Sequence, residues 1–145
     1  MKIGPVHKVA VVFVMLAGVA PAQSRLPQDV QSALDRKDYA TALRMVRPLA
    51  QSGDPAAQSL LGTMYALGDG VTQSYKESVD WYRKSAAQGF SEAQFQLGTA
   101  YLLGQGAPQN ATEALTWLRK AADQGHPDAE ADLGLMYAQG RGVQR

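Results

Sequence analysis

The sequence has no cysteine. A thiol nucleophile, lipid attachment through cysteine and stabilisation by disulfides are therefore excluded, and packing must supply the stability. Histidine is almost as scarce, with His7 near the start and His126 near the end. One histidine in the body of the chain and no cysteine make no metal-ligand cluster, so neither a metal nor another cofactor is expected. A Ser-His-Asp arrangement would have to use His126, which precedes Pro127 and reads more simply as a helix cap. An excess of one charge is lacking too, since 14 Lys and Arg stand against 13 Asp and Glu. Nucleic acid, which needs a concentrated basic face, is not an expected partner. The apolar run Val9 to Ala20 has 12 residues, whereas a membrane-spanning helix needs about 20.

That run has the form of an export signal. Lys2 and Lys8 precede it, and Ala20-Pro21-Ala22 follows with small residues at the two positions that a signal peptidase reads. The expectation is a signal peptide over 1–22 and a mature chain from Gln23, periplasmic or secreted in a bacterium, with no stable membrane span after cleavage. A retained amino-terminal anchor is the weaker alternative. Loss of residues 1–22 leaves 12 basic residues against 13 acidic ones, so the formal charge moves from +1 to −1.

The remaining 123 residues repeat themselves. A shift of 36 aligns Leu61-Gly62, Leu97-Gly98 and Leu133-Gly134, then Tyr65, Tyr101 and Tyr137, and Ala57, Ala93 and Ala129 upstream. The same shift aligns Gly68-Asp69-Gly70 with Gly104-Gln105-Gly106 and Gly140-Arg141-Gly142, and Trp81 with Trp117. A period between 20 and 50 residues is the signature of a solenoid. Within one unit the apolar residues fall four apart, as in Ala57, Leu61 and Tyr65 or Ser78, Tyr82 and Ala86, which is helical spacing. Each unit is thus two helices. Helix A is expected over 55–67 and helix B over 75–88 in the first unit, with 91–103 and 111–124 in the second.

The boundary residues agree with this division. Asp54-Pro55 offers a capping oxygen followed by proline at the first helical position, His126-Pro127 does the same, and Gly53, Gly89 and Gly125 follow each helix B. Asp128, Glu130 and Asp132 suit the positive end of a helix dipole. The Gly-x-Gly turns follow no strand and recur with the repeat, so they are turns and not phosphate cradles. Glycine inside a helix costs about 1 kcal/mol relative to alanine. Gly62, Gly98 and Gly134 should therefore mark close approach of a neighbouring helix, with Trp81, Trp117 and the tyrosines interlocking there as core.

The pattern Ala-x-x-x-Leu-Gly-x-x-Tyr-x-x-Gly-x-Gly, followed by Trp-Tyr/Leu-Arg-Lys-Ser/Ala-Ala-x-Gln-Gly, resembles the Sel1-like repeat family. That family is a subclass of the tetratricopeptide-like solenoids. The resemblance runs from about Tyr39 to Val143 and implies an all-α fold, a right-handed α/α solenoid of antiparallel helix pairs. The units would be a leading half-repeat over 23–53, repeats over 54–89 and 90–125, and an incomplete third over 126–145. Gln28 to Arg36 should form a short helix against the leading half-unit.

What the resemblance implies for function is a scaffold that holds a protein or peptide partner along its helix A face. The positions around the Leu-Gly-x-x-Tyr motif would line that groove. They are Ser59, Thr63, Ala66 and Leu67 in the first unit, Phe95, Thr99, Leu102 and Leu103 in the second, and Leu135 in the third. Few basic residues are at hand for clamping a terminal carboxylate. Helix A of the third unit is expected to show Leu133, Met136 and Tyr137 to water, which makes self-association through that end a second contact mode. A structural part in cell-wall or exopolysaccharide machinery is an alternative. So is a β-lactamase-like hydrolase of the kind described for disulfide-rich relatives, but the chain has neither their cysteines nor any Ser-x-x-Lys. No enzymatic activity is expected.

Overall fold

The computed structural model describes residues 25–143, so the export segment lies outside the described residues. Among these there are seven α-helices and no strand: α1 (Gln28–Asp35), α2 (Tyr39–Gln51), α3 (Pro55–Leu67), α4 (Tyr75–Ala87), α5 (Ser91–Leu103), α6 (Ala111–Asp123) and α7 (Pro127–Gln139). The last six have 13 residues each, about 20 Å of helix at 1.5 Å per residue. Helices α3, α5 and α7 are the A helices of successive units, and α2, α4 and α6 are the B helices. Each packs on its neighbours in sequence.

Local chemistry sets these ends. The Asp54 carboxylate accepts from the Ala57 amide at 2.8 Å, Ser74 from Glu77 at 3.2 Å and Asn110 from Glu113 at 3.1 Å. Each satisfies an amide that the first helical turn leaves unpaired. Every A helix stops at a glycine in the left-handed region, Gly68, Gly104 or Gly140. The second glycine of the turn does something different. A Cβ on Gly106 would stand 2.1 Å from the Tyr75 carbonyl oxygen, and one on Gly142 would stand 2.6 Å from that of Ala111. This glycine lets each turn press on the start of the B helix before it.

Inside the units, Gly62 and Gly98 admit a close neighbour, but it is not tryptophan. A Cβ on Gly62 would meet the Tyr82 ring at 2.8 Å, and one on Gly98 would meet Leu118 Cγ at 2.8 Å. The residue after each tryptophan faces the glycine. Trp81 instead reaches back onto the cluster of Val46, Ala50, Ala57 and Leu61, and Trp117 onto that of Val79, Tyr82, Ala86 and Leu97. Gly134 has nothing within 4 Å, because no helix B of a third unit lies among the described residues. The expected exposure of the third A helix is also corrected. Met136 is only 2% exposed, packed with Leu115, Leu118 and Ala129, and Leu133 lies partly buried against the same cluster. Helix α6 covers that side, leaving Tyr137 and Leu135 outward.

Candidate functional site

Two networks recur with the repeat, and the first links each of α3 and α5 to the B helices on either side. Gln88 Nε2 donates to the Gly53 carbonyl at 2.9 Å and to Gln58 Oε1 at 2.8 Å, while Gln58 donates to the Ala50 carbonyl at 3.2 Å. One unit on, Gln124 donates to Gly89 and to Gln94, both at 2.8 Å, and Gln94 donates to Ala86 at 3.3 Å. Replacing Gln124 with alanine removes one link of this ladder and should lower the unfolding free energy by about 1 kcal/mol. The check is a urea melt, where the midpoint falls and the slope stays.

The second network is aromatic and basic. Arg83 donates to the Tyr101 hydroxyl at 3.0 Å with its guanidinium 5.8 Å from the ring centre, and Arg119 does the same to Tyr137. Lys84 lies over Trp81 at 4.2 Å and Lys120 over Trp117 at 4.4 Å. These are cation–ring contacts; the arginines tie α4 to α5 and α6 to α7, while each lysine lies over a tryptophan of its own helix. Sequence reasoning assigned the aromatics to packing but missed their cations and the glutamine ladder. The visible signal was that Arg83, Lys84 and Gln88 recur at the same shift as the tryptophans.

His126 is used as a cap. Its Nδ1 accepts from the Ala129 amide at 3.3 Å, its Nε2 lies 2.9 Å from a Glu92 oxygen, and its ring stacks on Phe95 with centroids 4.7 Å apart. With Nδ1 accepting from the backbone, Nε2 is the nitrogen free to donate to Glu92. No group of three or more potential metal ligands occurs among the described residues, and no helix among them is long and apolar enough to cross a membrane.

The nine groove candidates do not share one environment. Leu67 is 65% exposed and Leu103 57%, each the last residue of its A helix, and Leu135 is 56% exposed one turn before the end of α7, at the place of Thr63 and Thr99. Phe95 and Leu102 are partly buried and pack against the Ala114, Leu115 and Leu118 cluster, so they belong to core. Ser59 is 3% exposed and is withdrawn from any surface. Thr63 is partly buried with its hydroxyl 3.0 Å from that of Tyr82. Burial raises the Tyr82 phenol above its ordinary value, against the opposing hydrogen bonds from Thr63 and Ser78. Ala66 and Thr99 border a recess between α3, α4 and α5.

The family model of the Sel1 repeat matches residues 55–90, 91–126 and 127–145. The chain belongs to the Sel1 repeat family. Its Sel1 units superpose on a Sel1 repeat protein from Oxalobacter formigenes with a TM-score of 0.77 at 38% identity, over 81% of this chain and 48% of that one. A protective antigen present in uropathogenic Escherichia coli strains, displaying an SLR fold, matches with a TM-score of 0.72 at 41% identity, over 74% of this chain and 23% of that one. The chain thus spans about half of the first protein and about a quarter of the second. Helicobacter pylori cysteine rich protein B shares the fold, with a TM-score of 0.61 at 16% identity over 76% of this chain and 98% of that one. No curated protein matches. The molecule is a Sel1-repeat helical scaffold, a right-handed α/α solenoid.

Proposed function

We propose that this chain is an exported adaptor, a Sel1-repeat scaffold that mediates protein–protein interaction in periplasmic or secreted assemblies and has no catalysis of its own. The observation that carries the reading is the pair Leu67 and Leu103, large apolar side chains left in water at the same place on successive A helices, with Leu135 exposed one turn earlier on the next. Single exposed leucines are ordinary, but apolar side chains repeated along one element type suit a partner laid across the units. The polar inventory points the same way. His126 caps a helix, Gln88 and Gln124 bridge units, and Arg83, Lys84, Arg119 and Lys120 sit on rings. Export is supported by Lys2, Lys8, the Val9 to Ala20 run and the Ala20-Pro21-Ala22 site.

Immobilised protein should recover one or more proteins from a bacterial envelope extract, and the double variant Leu67→Asp with Leu103→Asp should lose them while keeping its helical circular dichroism. Equal recovery by both proteins would remove the A-helix surface from the account. The export half is read separately from the intact mass of the protein in the periplasmic fraction, which should begin at Gln23.

A further inference from the structure

The recess between α3, α4 and α5 is where the repeat departs from itself. It offers room for about 70 Å³. Ala66 borders it, at a position that is alanine again in Ala138 and is filled only in the middle unit, by Leu102. Ala100 borders it where the units on either side have Met64 and Met136, both buried. At Ala100 alanine stands in place of a large side chain, and the helices have not closed over the space, although a void of this kind forfeits packing. The walls change in character as well. Ser78 and Tyr82 stand where the neighbouring B helices have Ala42 and Ala114, and Val46 and Leu118.

Thr99 shows what this change leaves undone. In the first unit the equivalent Thr63 hydroxyl is paired with the Tyr82 hydroxyl. In the second unit the place of Tyr82 is taken by Leu118, which has no hydroxyl to offer. Thr99 Oγ1 is accordingly buried with no hydrogen-bond partner among the described residues, a state that is costly for a polar atom. The hydroxyl is not open to the recess as it stands, but a helical threonine has two χ1 rotamers to choose between, and a ligand in the recess gains a bond to it when the rotamer changes. None of the lining side chains carries a charge. An ionic group would be desolvated there without a counter-charge.

We propose that this recess is a subsite for a small uncharged hydrogen-bonding side chain, a hydroxyl or a carboxamide, presented by a peptide bound along the A helices. The proposal rests on the scaffold reading and adds to it the chemistry of one anchor residue in the partner. Serine, threonine or asparagine in the peptide fits; aspartate, glutamate, lysine and arginine do not.

The test uses the full chain labelled with nitrogen-15 and titrated with acetamide and isopropanol as neutral probes, and with acetate and methylammonium as charged ones. The neutral probes should give saturable shifts at the amides of Gln96, Thr99 and Ala100, and the charged ones none. Thr99→Val should weaken the neutral probes at least fivefold without lowering the melting temperature, since it removes the unpaired hydroxyl. Ala100→Met should abolish them by filling the space as the neighbouring units do. Dodecapeptides selected from a random library on the wild-type chain should carry a recurrent hydroxyl or carboxamide residue and should bind Ala100→Met at least tenfold more weakly. Absence of saturable shifts, equal response to charged probes, or probe binding that survives Ala100→Met overturns the subsite and shows a recess that holds water only. Peptides that bind wild type and Ala100→Met equally overturn it while the scaffold reading stands. A library that yields no peptide ligand, with probes still bound, overturns the scaffold reading and the peptide anchor with it.

Discussion

Gly106→Ala is expected to cost about 3–5 kcal/mol, one of the largest effects of any single-residue change in this chain. Gly106 has φ of +77°, and a Cβ there would lie 2.1 Å from the Tyr75 carbonyl oxygen and 2.5 Å from its carbon. Both neighbours are backbone atoms at the first residue of α4, so relief requires the turn and the helix to separate. The left-handed backbone adds its own strain for any side chain. Gly53→Ala provides the comparison, because Gly53 also has a positive φ, +100°, but nothing within 4 Å. It should lose only the conformational part, about 1 kcal/mol. In thermal melts followed by circular dichroism, Gly106→Ala should fall by roughly 10–20 °C and Gly53→Ala by a few degrees. Equal shifts would show that the turn does not bear on the preceding B helix.

Gly98→Leu should be comparably damaging, at about 3 kcal/mol or more. The Cβ alone would stand 2.8 Å from Leu118 Cγ and 3.2 Å from the Leu118 amide nitrogen, before the rest of a leucine is added. Leu118 is fully buried, so α5 and α6 would have to part. The same motif gives the opposite sign one unit later. Gly134→Ala meets nothing and should raise stability by up to about 1 kcal/mol, the difference in helix propensity. The pair of melts reads the meaning of Leu-Gly from its neighbour and not from the motif.

The division into helices was legible because it rests on signals carried by the local sequence: four-residue apolar spacing, Asp54 and His126 before prolines, and glycine after each helix from α2 on. The 36-residue shift then joined these into stacked pairs. What was not legible was which side chain answers which across units. The residue facing Gly62 or Gly98 is set by the rotation of the B helix about its axis, and this places Tyr82 and Leu118 inward while turning Trp81 and Trp117 toward the preceding unit. Met136 is buried for a related reason: α6 packs across α7 and reaches it, although the unit it belongs to has no B helix among the described residues.

The candidate surface was only partly readable for the same reason. Leu67, Leu103 and Leu135 differ from Phe95 and Leu102 by a rotation about the helix axis that the motif does not resolve, and only the first three face water. The recess needed a comparison of a different kind. Ala100, Ser78 and Tyr82 are unremarkable as single residues, and they carry information only against Met64, Ala42 and Leu118 at the same places in neighbouring units. A repeat states its own reference, and departures from it are where a partner can be read.

The central claim is that the A helices form a surface on which another protein sits. It is tested most directly by the dissociation constant between this chain and a partner recovered from the envelope extract, measured by isothermal titration for wild type and for Leu67→Asp with Leu103→Asp. The account predicts an affinity at least tenfold weaker for the double variant, a loss of about 1.4 kcal/mol or more, at an unchanged melting temperature. Equal dissociation constants for the two folded proteins would contradict it.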